Sequence, residues 1–308
     1  MSTEIACDPP TSLLEGFVPQ YPFQAASGDV VLRSSDSIDF RVYRAILALA
    51  SPVFSTMFSL PQPDSAPETP IIPVGETALR LDRALRFWYP GTQPLVNSID
   101  ELGDVLQILM SKYDIQAVSA IGQRFLLDYV ETQPVAVFGI ALTYEWHDIA
   151  KTAAAQSLKH PLRTFGIPPE QLKHISSEGY HTLLKYHYLC GAAAKGTTDV
   201  LRWIAFPNDD VWFACTKCAG HALHWFLSDN AAHGVRLWFT NYLAAAGTTL
   251  AATPGADPDD PIAMHAALKA ASACEFCREK VFHQLQDFVA TKWIPKIEEV
   301  LGNVELKM

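Results

Sequence analysis

Residues 29–58, DVVLRSSDSIDFRVYRAILALASPVFSTMF, contain the pattern that is most informative about the structure of the N-terminal third of this chain. Apolar and polar side chains alternate over residues 38–43, and a period of two indicates a half-buried strand. A polar turn at residues 34–37 separates this strand from the apolar run before it, which predicts a β-hairpin. The apolar spacing then becomes helical, and Ser51 and Pro52 suit the cap and the first turn of a second helix. A hairpin followed by two short helices is therefore expected.

The order of side chains in this stretch resembles the signature of the BTB/POZ family. In that family an acidic residue opens the first strand, and a leucine, a serine, a phenylalanine and a Met-Phe pair follow the hairpin at fixed steps. The matching residues here are Asp29, Leu47, Ser51, Phe54, Met57 and Phe58. The main departure is Tyr43-Arg44, which stands where the family has His-Lys or His-Arg. The resemblance covers about residues 24–130, and short later motifs are similar to the expanded BTB set of basidiomycete, or mushroom-type, fungi.

The resemblance implies an α+β, predominantly helical fold class, with a small sheet flanked by helices in a BTB/POZ-like domain. Helical periodicity continues after that domain, so a helical extension and a helical Cys/Trp-rich C-terminal region are expected. The predicted organisation is a mobile N-terminal arm at residues 1–23, the BTB/POZ-like domain at 24–130, the extension at 131–198 and the C-terminal domain at 199–308. Residues 191–198, GAAAKGTT, predict a linker at the last boundary. An alternative role for the arm is that of a strand exchanged between two protomers.

The bulk composition restricts the classes of function. With 49% apolar residues among 308, the chain can build a sizeable core, and its net charge of −10 argues against nonspecific binding to nucleic acid or to anionic membranes. No stretch approaches the ~20 apolar residues of a membrane span. No nucleophile elbow, zinc-protease motif or dinucleotide-binding motif is present. Six cysteines in a chain of this length, four of them in Cys-x-x-Cys pairs, favour an intracellular protein, cytoplasmic or nuclear, over a disulfide scaffold. The missing catalytic motifs predict that it is not an enzyme.

The strongest sign of a ligand site is two Cys-x-x-Cys pairs, Cys215 with Cys218 and Cys274 with Cys277. Four thiolates can surround one tetrahedral Zn²⁺ and form a closed structural site. The 55 residues between the pairs, positions 219–273, exceed the ~15–20 of ordinary zinc ribbons. Reduced buried thiols and redox chemistry are therefore alternatives, and His221 and His224 are alternative ligands. A structural zinc ion is the candidate cofactor.

The family resemblance also implies contacts with partners. In the family, the helices after the hairpin pack on their mates across a two-fold axis. The candidate dimer interface here consists of Ile46, Leu47, Ala50, Val53, Phe54 and Met57. Adaptor members contact a cullin through an apolar residue placed two before an acidic one, near the start of the helix that ends in Lys-Tyr. Counting back from Lys112 and Tyr113 places Leu102 and Asp104 on that motif.

These expectations combine into one functional prediction. The chain is predicted to be a non-catalytic protein that binds itself and other proteins through its BTB/POZ-like domain. One alternative is a substrate adaptor of a cullin-type ubiquitin ligase. The other is a transcriptional regulator without its own DNA-binding module, since the sequence contains no DNA-reading finger.

Overall fold

The structure, a computed structural model, describes residues 17–60, 69–162, 169–205, 209–218, 224–258 and 261–308. The chain separates into two units, Met1–Asp128 and Tyr129–Met308. Within the described ranges, no helix combines the length and the apolar character that a membrane crossing requires. Most of the predicted N-terminal arm, residues 1–16, lies outside the described residues.

The first unit is built on a three-stranded sheet with strand order β2-β1-β3. Its strands are β1 Val30–Arg33, β2 Asp39–Val42 and β3 Ile71–Pro73. β1 and β2 pair antiparallel, and across their turn the backbone N–H of Ile38 donates to the Ser34 hydroxyl at 2.9 Å. β3 lies parallel to β1 on its other side. Phe40 and Val42 are fully buried while Arg41 between them is exposed, so the predicted hairpin is confirmed.

Helices flank this sheet. They are α1 Arg44–Ala50, α2 Pro52–Ser59, α3 Ala78–Trp88, α4 Ile99–Leu106 and α5 Ser119–Leu127, with a π-helical segment at Gln107–Lys112 and a 3-10 turn at Gln116–Val118. Ser51 caps α2, because its hydroxyl accepts the backbone N–H of Phe54 at 3.2 Å. Ser98 caps α4 in the same way, through the N–H of Glu101 at 3.2 Å. The α+β, predominantly helical fold class is confirmed.

Tyr43, the main departure from the family signature, lies at the surface end of the hairpin. Its backbone N–H donates to the Tyr89 hydroxyl at 2.9 Å, and its own hydroxyl lies 2.5 Å from that of Ser27. Tyr89 is buried and packs edge-on against Phe23, with ring centroids 5.4 Å apart. Tyr89 and Phe23 therefore pack beneath the hairpin, whereas the side chain of Tyr43 is exposed.

The second unit is mostly helical in the residues that the structure describes. Its helices are α6 Pro134–Thr143, α7 His147–Ser157, α8 Ser177–Asp199, α9 Val211–Ala214, α10 Leu237–Ala252, α11 Pro261–Ala271, α12 Glu275–Arg278, α13 Val281–Asp287 and α14 Ile294–Gly302, with a 3-10 helix at Pro169–His174 and a π-helical segment at Phe288–Trp293. The sequence did not predict the hairpin of β4 His224–Phe226 and β5 Ala232–Gly234. Its turn contains Asn230 at a φ of 57°, a left-handed conformation that asparagine tolerates better than most residues.

Residues 191–198 belong to α8, so the linker predicted at this position is wrong. Their small side chains let α8 and α10 approach closely, since a Cβ atom at Gly191 would lie 2.5 Å from the Ala251 carbonyl oxygen. A Cβ atom at Gly247 would overlap the Thr198 hydroxyl oxygen. The glycine- and alanine-rich composition thus reflects contact between helices. The extension and the C-terminal region lie in one unit.

An aromatic cluster forms the centre of the core in the second unit. Trp212 lies flat against Phe239, with ring centroids 4.5 Å apart, and edge-on to Phe288 at 5.4 Å. Trp293 is fully buried, and its indole N–H donates to the Thr197 hydroxyl at 2.9 Å. These contacts join α8, α9 and α10 to the closing helices, which are α12, α13 and α14 with the π-helical segment before α14, around one core. They also fix the position of the segment that carries the first cysteine pair.

Candidate metal centre and interaction surface

The two cysteine pairs come together in the second unit. Cys215 and Cys218 follow α9. Cys274 is the residue before α12, and Cys277 lies within that helix. The sulfur atoms of Cys218 and Cys277 are 3.4 Å apart, those of Cys215 and Cys218 3.6 Å, and those of Cys215 and Cys274 3.8 Å. All four sulfur atoms lie within 4.8 Å of one another, although 59 positions separate Cys215 from Cys274.

The cluster is positioned by the packing of α9 on the closing helices. The backbone N–H of Val211, the first residue of α9, donates to the side-chain oxygen of Gln284 in α13 at 2.9 Å. The next residue, Trp212, anchors α9 in the aromatic core. On the other side, the N–H of Arg278 donates to the Cys274 carbonyl at 2.9 Å and closes the single turn of α12. The first pair therefore lies beside the start of the closing helices.

Electrostatics within the cluster favour one thiolate and disfavour the others. Burial opposes ionisation of Cys215, but hydrogen bonds from the backbone N–H groups of Lys217 and Cys218 lower its pKa to about 7. Burial and the neighbouring Cys215 sulfur raise the pKa of Cys218 to about 11. Burial and the sulfur atoms around it also raise the pKa of Cys277. Each further negative charge would lie close to the first, so four thiolates at this spacing require a positive charge between them.

The donor set fits a zinc ion. Sulfur atoms bound at ~2.3 Å around a tetrahedral Zn²⁺ lie ~3.8 Å from one another. The sulfur pairs given above are 3.4, 3.6 and 3.8 Å apart. Four sulfur ligands leave no open coordination position, which is typical of structural rather than catalytic zinc. Thiolates are also soft ligands that do not suit magnesium or calcium.

The candidate metal-ligating cluster in the described part of the chain consists of the four cysteines. The alternative ligand His224 is exposed on β4, and His221 lies outside the described residues. His187 is fully buried in α8, where its Nε2 atom lies 3.0 Å from the His160 carbonyl oxygen.

The predicted dimer interface in the first unit divides into a buried and an accessible part. Leu47 and Phe54 are only 0% and 2% exposed. They pack inside the unit and are closed to a partner. The accessible members of the predicted set are Ile46, Ala50, Val53 and Met57.

Leu49 also belongs to this surface, although it is not among the predicted interface residues. It is 91% exposed on α1, and Val53 near the start of α2 is 38% exposed. The signal was present in the sequence of α1, RAILALA, which is apolar on all sides after its first residue. A helix of that kind is covered on more than one face, yet this unit covers only the face that carries Leu47.

The predicted cullin motif has only its acidic residue at the surface. Leu102 is fully buried in α4. The Asp104 carboxylate lies 3.3 Å from the Arg80 guanidinium, and the side chains of both residues are about half exposed. The apolar member of the motif therefore belongs to the core of its own unit.

Comparison with known families agrees with this architecture. The family model of the BTB/POZ domain matches residues 23–129, which are about a third of the chain. These residues are therefore a BTB/POZ domain, generally a protein–protein interaction module, and the resemblance seen in residues 29–58 is confirmed. No curated protein matches the chain.

Proposed function

We propose that this chain is a non-catalytic protein-binding protein that self-associates through α1 and α2 of its BTB/POZ domain. The observation that carries the proposal is the 91% exposure of Leu49 on α1. Covering a leucine fully is worth ~1.5–3 kcal/mol. The accessible Ile46, Ala50 and Val53 add apolar area on the same two helices. A two-fold axis places the same patch of both protomers face to face, so one apolar patch suffices for a homodimer.

Sedimentation of the full-length chain at micromolar concentration tests this interface. We expect a dimer for the wild-type protein and a monomer for Leu49→Glu, because burying an unpaired carboxylate opposes association. Leu79→Glu is the matched control, since Leu79 is 44% exposed on α3 of the same unit. This control should remain dimeric. A monomeric wild type, or a dimeric Leu49→Glu, contradicts the proposal.

We further propose that the second unit holds one structural zinc ion, with ligands Cys215, Cys218, Cys274 and Cys277. Three sulfur–sulfur distances of 3.4, 3.6 and 3.8 Å, four sulfur atoms within 4.8 Å of one another, and the closed S₄ donor set support this proposal. A bound ion would supply the positive charge that lets four thiols ionise together. It would also join segments 59 positions apart, and a cross-link over a long loop removes the most chain entropy in principle.

Elemental analysis of the purified full-length chain tests the zinc proposal. We expect one zinc ion per chain in the wild type and in Cys190→Ser, because Cys190 is buried in α8 outside the cluster. Zinc should be lost in Cys218→Ser, which removes a half-buried ligand with little change in packing. A zinc-free wild type, or a Cys218→Ser that retains a full equivalent, contradicts the proposal.

The two alternative functions have less support from the described residues. The adaptor hypothesis depends on Leu102 and Asp104, and the burial of Leu102 leaves the cullin without its apolar contact. Direct binding to the N-terminal domain of a cullin is the measurement that decides it. A role in transcription, an intracellular location and the likeness to mushroom-type fungal BTB proteins all stay predictions from the sequence.

A further inference from the structure

A cleft of about 420 Å³ opens onto one side of the cysteine cluster. It is lined by Cys218 and Cys274 together with Lys217, Trp238 and Asn241. Both of these cysteines are half-buried and form part of the cleft lining. Cys215 and Cys277, in contrast, are 0% exposed. The cluster therefore has an outer pair of thiols and an inner pair.

Each outer thiol touches an inner thiol of the other Cys-x-x-Cys motif. Cys218 lies 3.4 Å from Cys277, and Cys274 lies 3.8 Å from Cys215. Cys218 also lies 3.6 Å from Cys215 of its own motif. Of these three contacts, the two between the motifs together use all four sulfur atoms once. A reagent that activates an outer thiol from the cleft thus finds an inner thiol already in place to react with it.

We infer that this cluster is an oxidation site, at which peroxide entering the cleft converts the four thiols into two disulfides, Cys218–Cys277 and Cys215–Cys274. Where the cluster holds the zinc ion proposed above, the same reaction expels the metal, and that part of the inference rests on the proposed function. Pairing across the motifs joins the segment after α9 to α12 in the oxidised protein as well. The two segments therefore stay connected when the metal has left.

The reaction balances with hydrogen peroxide as the only oxidant. The sulfur of Cys218 attacks one peroxide oxygen, the O–O bond breaks, and the product is a sulfenic acid with release of hydroxide, which is protonated to water. The Cys277 sulfur then attacks the sulfenic sulfur, an S–S bond forms, and the departing oxygen leaves as a second water. Formation of each disulfide thus transfers two electrons from two thiols to one peroxide, and the same sequence at Cys274 and Cys215 completes the reaction.

The test is titration of the full-length protein, as purified, with hydrogen peroxide. A colorimetric zinc chelator measures the metal released, and peptide mass spectrometry after alkylation maps the disulfides. We expect loss of the four cluster thiols, release of one zinc ion per chain, and cross-linked peptides that pair Cys218 with Cys277 and Cys215 with Cys274. Cys190 is the internal comparator, because it is a fully buried thiol outside the cluster and should stay reduced.

A variant that fills the cleft tests whether peroxide reaches the cysteines through it. Asn241→Trp places a large side chain in the cleft lining and should slow zinc release and thiol loss without changing the zinc content. Thr248→Trp is the matched control, since Thr248 is exposed two turns further along α10 and is not part of the lining. It should react at the wild-type rate.

The outcomes distinguish this inference from the zinc proposal. If the purified chain holds no zinc, the zinc proposal fails, and the disulfide map of the metal-free protein still decides the oxidation site. If zinc is present but the four thiols resist peroxide while Cys190 oxidises, the oxidation site is refuted and the structural zinc stands. Disulfides within the motifs, Cys215–Cys218 and Cys274–Cys277, also overturn the inference.

Discussion

Replacing Gly191 by alanine should destabilise the second unit, whereas the same change at Gly196 should stabilise it. Both glycines lie in α8. A Cβ atom at Gly191 would be 2.5 Å from the Ala251 carbonyl oxygen and 3.2 Å from its carbonyl carbon. Both are backbone atoms of α10, so the two helices would have to move apart. At Gly196, no heavy atom of another segment lies within 4 Å of the new Cβ.

The magnitude of the difference follows from these contacts. Each substitution gains ~0.5–1 kcal/mol from helix propensity, and only Gly191→Ala adds the cost of overpacking, ~1–3 kcal/mol. The gain in helix propensity is the same for both variants, so only the overpacking cost at Gly191 distinguishes them. Their free energies of unfolding should therefore differ by ~1–3 kcal/mol. The second unit has 180 residues. For that size, ~2–4 °C per kcal/mol is expected, so the Tm of Gly191→Ala should fall ~2–12 °C below that of Gly196→Ala.

Tryptophan fluorescence during thermal unfolding measures this difference where it arises. Of the seven tryptophans, only Trp88 lies in the first unit and the other six lie in the second. Far-UV circular dichroism of the folded variants is the control that both retain the helical content of the wild type. Equal Tm values for Gly191→Ala and Gly196→Ala would refute the close packing of α8 on α10. They would be the result expected if residues 191–198 were a flexible linker.

Three further substitutions test other contacts. Cys277→Ser should release zinc, measured by elemental analysis, and unfold the second unit while the first stays folded, measured by limited proteolysis. Retention of zinc would argue against the metal site. Ser51→Ala removes the cap of α2 and the donor to the Tyr113 carbonyl, so urea unfolding should show a loss of ~1–2 kcal/mol, and an unchanged midpoint would contradict the capping role. Burial acts to raise the pKa of Asp36, but hydrogen bonds from a serine hydroxyl and from the Ala78 N–H outweigh it and hold that pKa below 3.8. The stability that Asp36 contributes is therefore present above pH 3.8 and lost as the pH falls through the lowered pKa. The urea midpoint of Asp36→Asn should approach that of the wild type as the pH falls through this range. A difference between the two midpoints that does not vary with pH would exclude this linkage.

The hairpin and the helix caps were predictable because they depend on residues close together in the sequence. Alternation over residues 38–43 sets which side chains face the core, and Ser51 and Pro52 mark a helix start by local rules alone. The meeting of the cysteine pairs was predictable only in part. Spacing shows that one pair can supply two ligands, but whether two segments 59 positions apart meet depends on how α10 and α11 fold between them.

Residues 191–198 and Leu49 show where the sequence is ambiguous. Glycine and alanine suit a flexible linker and a tight contact between helices equally well, and the presence of α10 against α8 decides between them. In α1, apolar side chains surround the helix. The sequence pattern alone does not say which side its own unit covers, so the exposure of Leu49 became visible only in the fold.

The positions of the four cysteines along the chain determine when the cluster can form during synthesis of this protein. Cys215 and Cys218 emerge first, and their partners follow only after α10 and α11 have been translated. During that interval the nascent chain carries two thiols 3.6 Å apart in the finished fold, with neither of the partners that complete the set. A chain that stops before residue 274 retains them in that state. Only a chain translated through Cys277 and folded around α10 and α11 can assemble all four sulfur atoms. An intact cluster therefore shows that translation has passed Cys277 and that the second unit has folded.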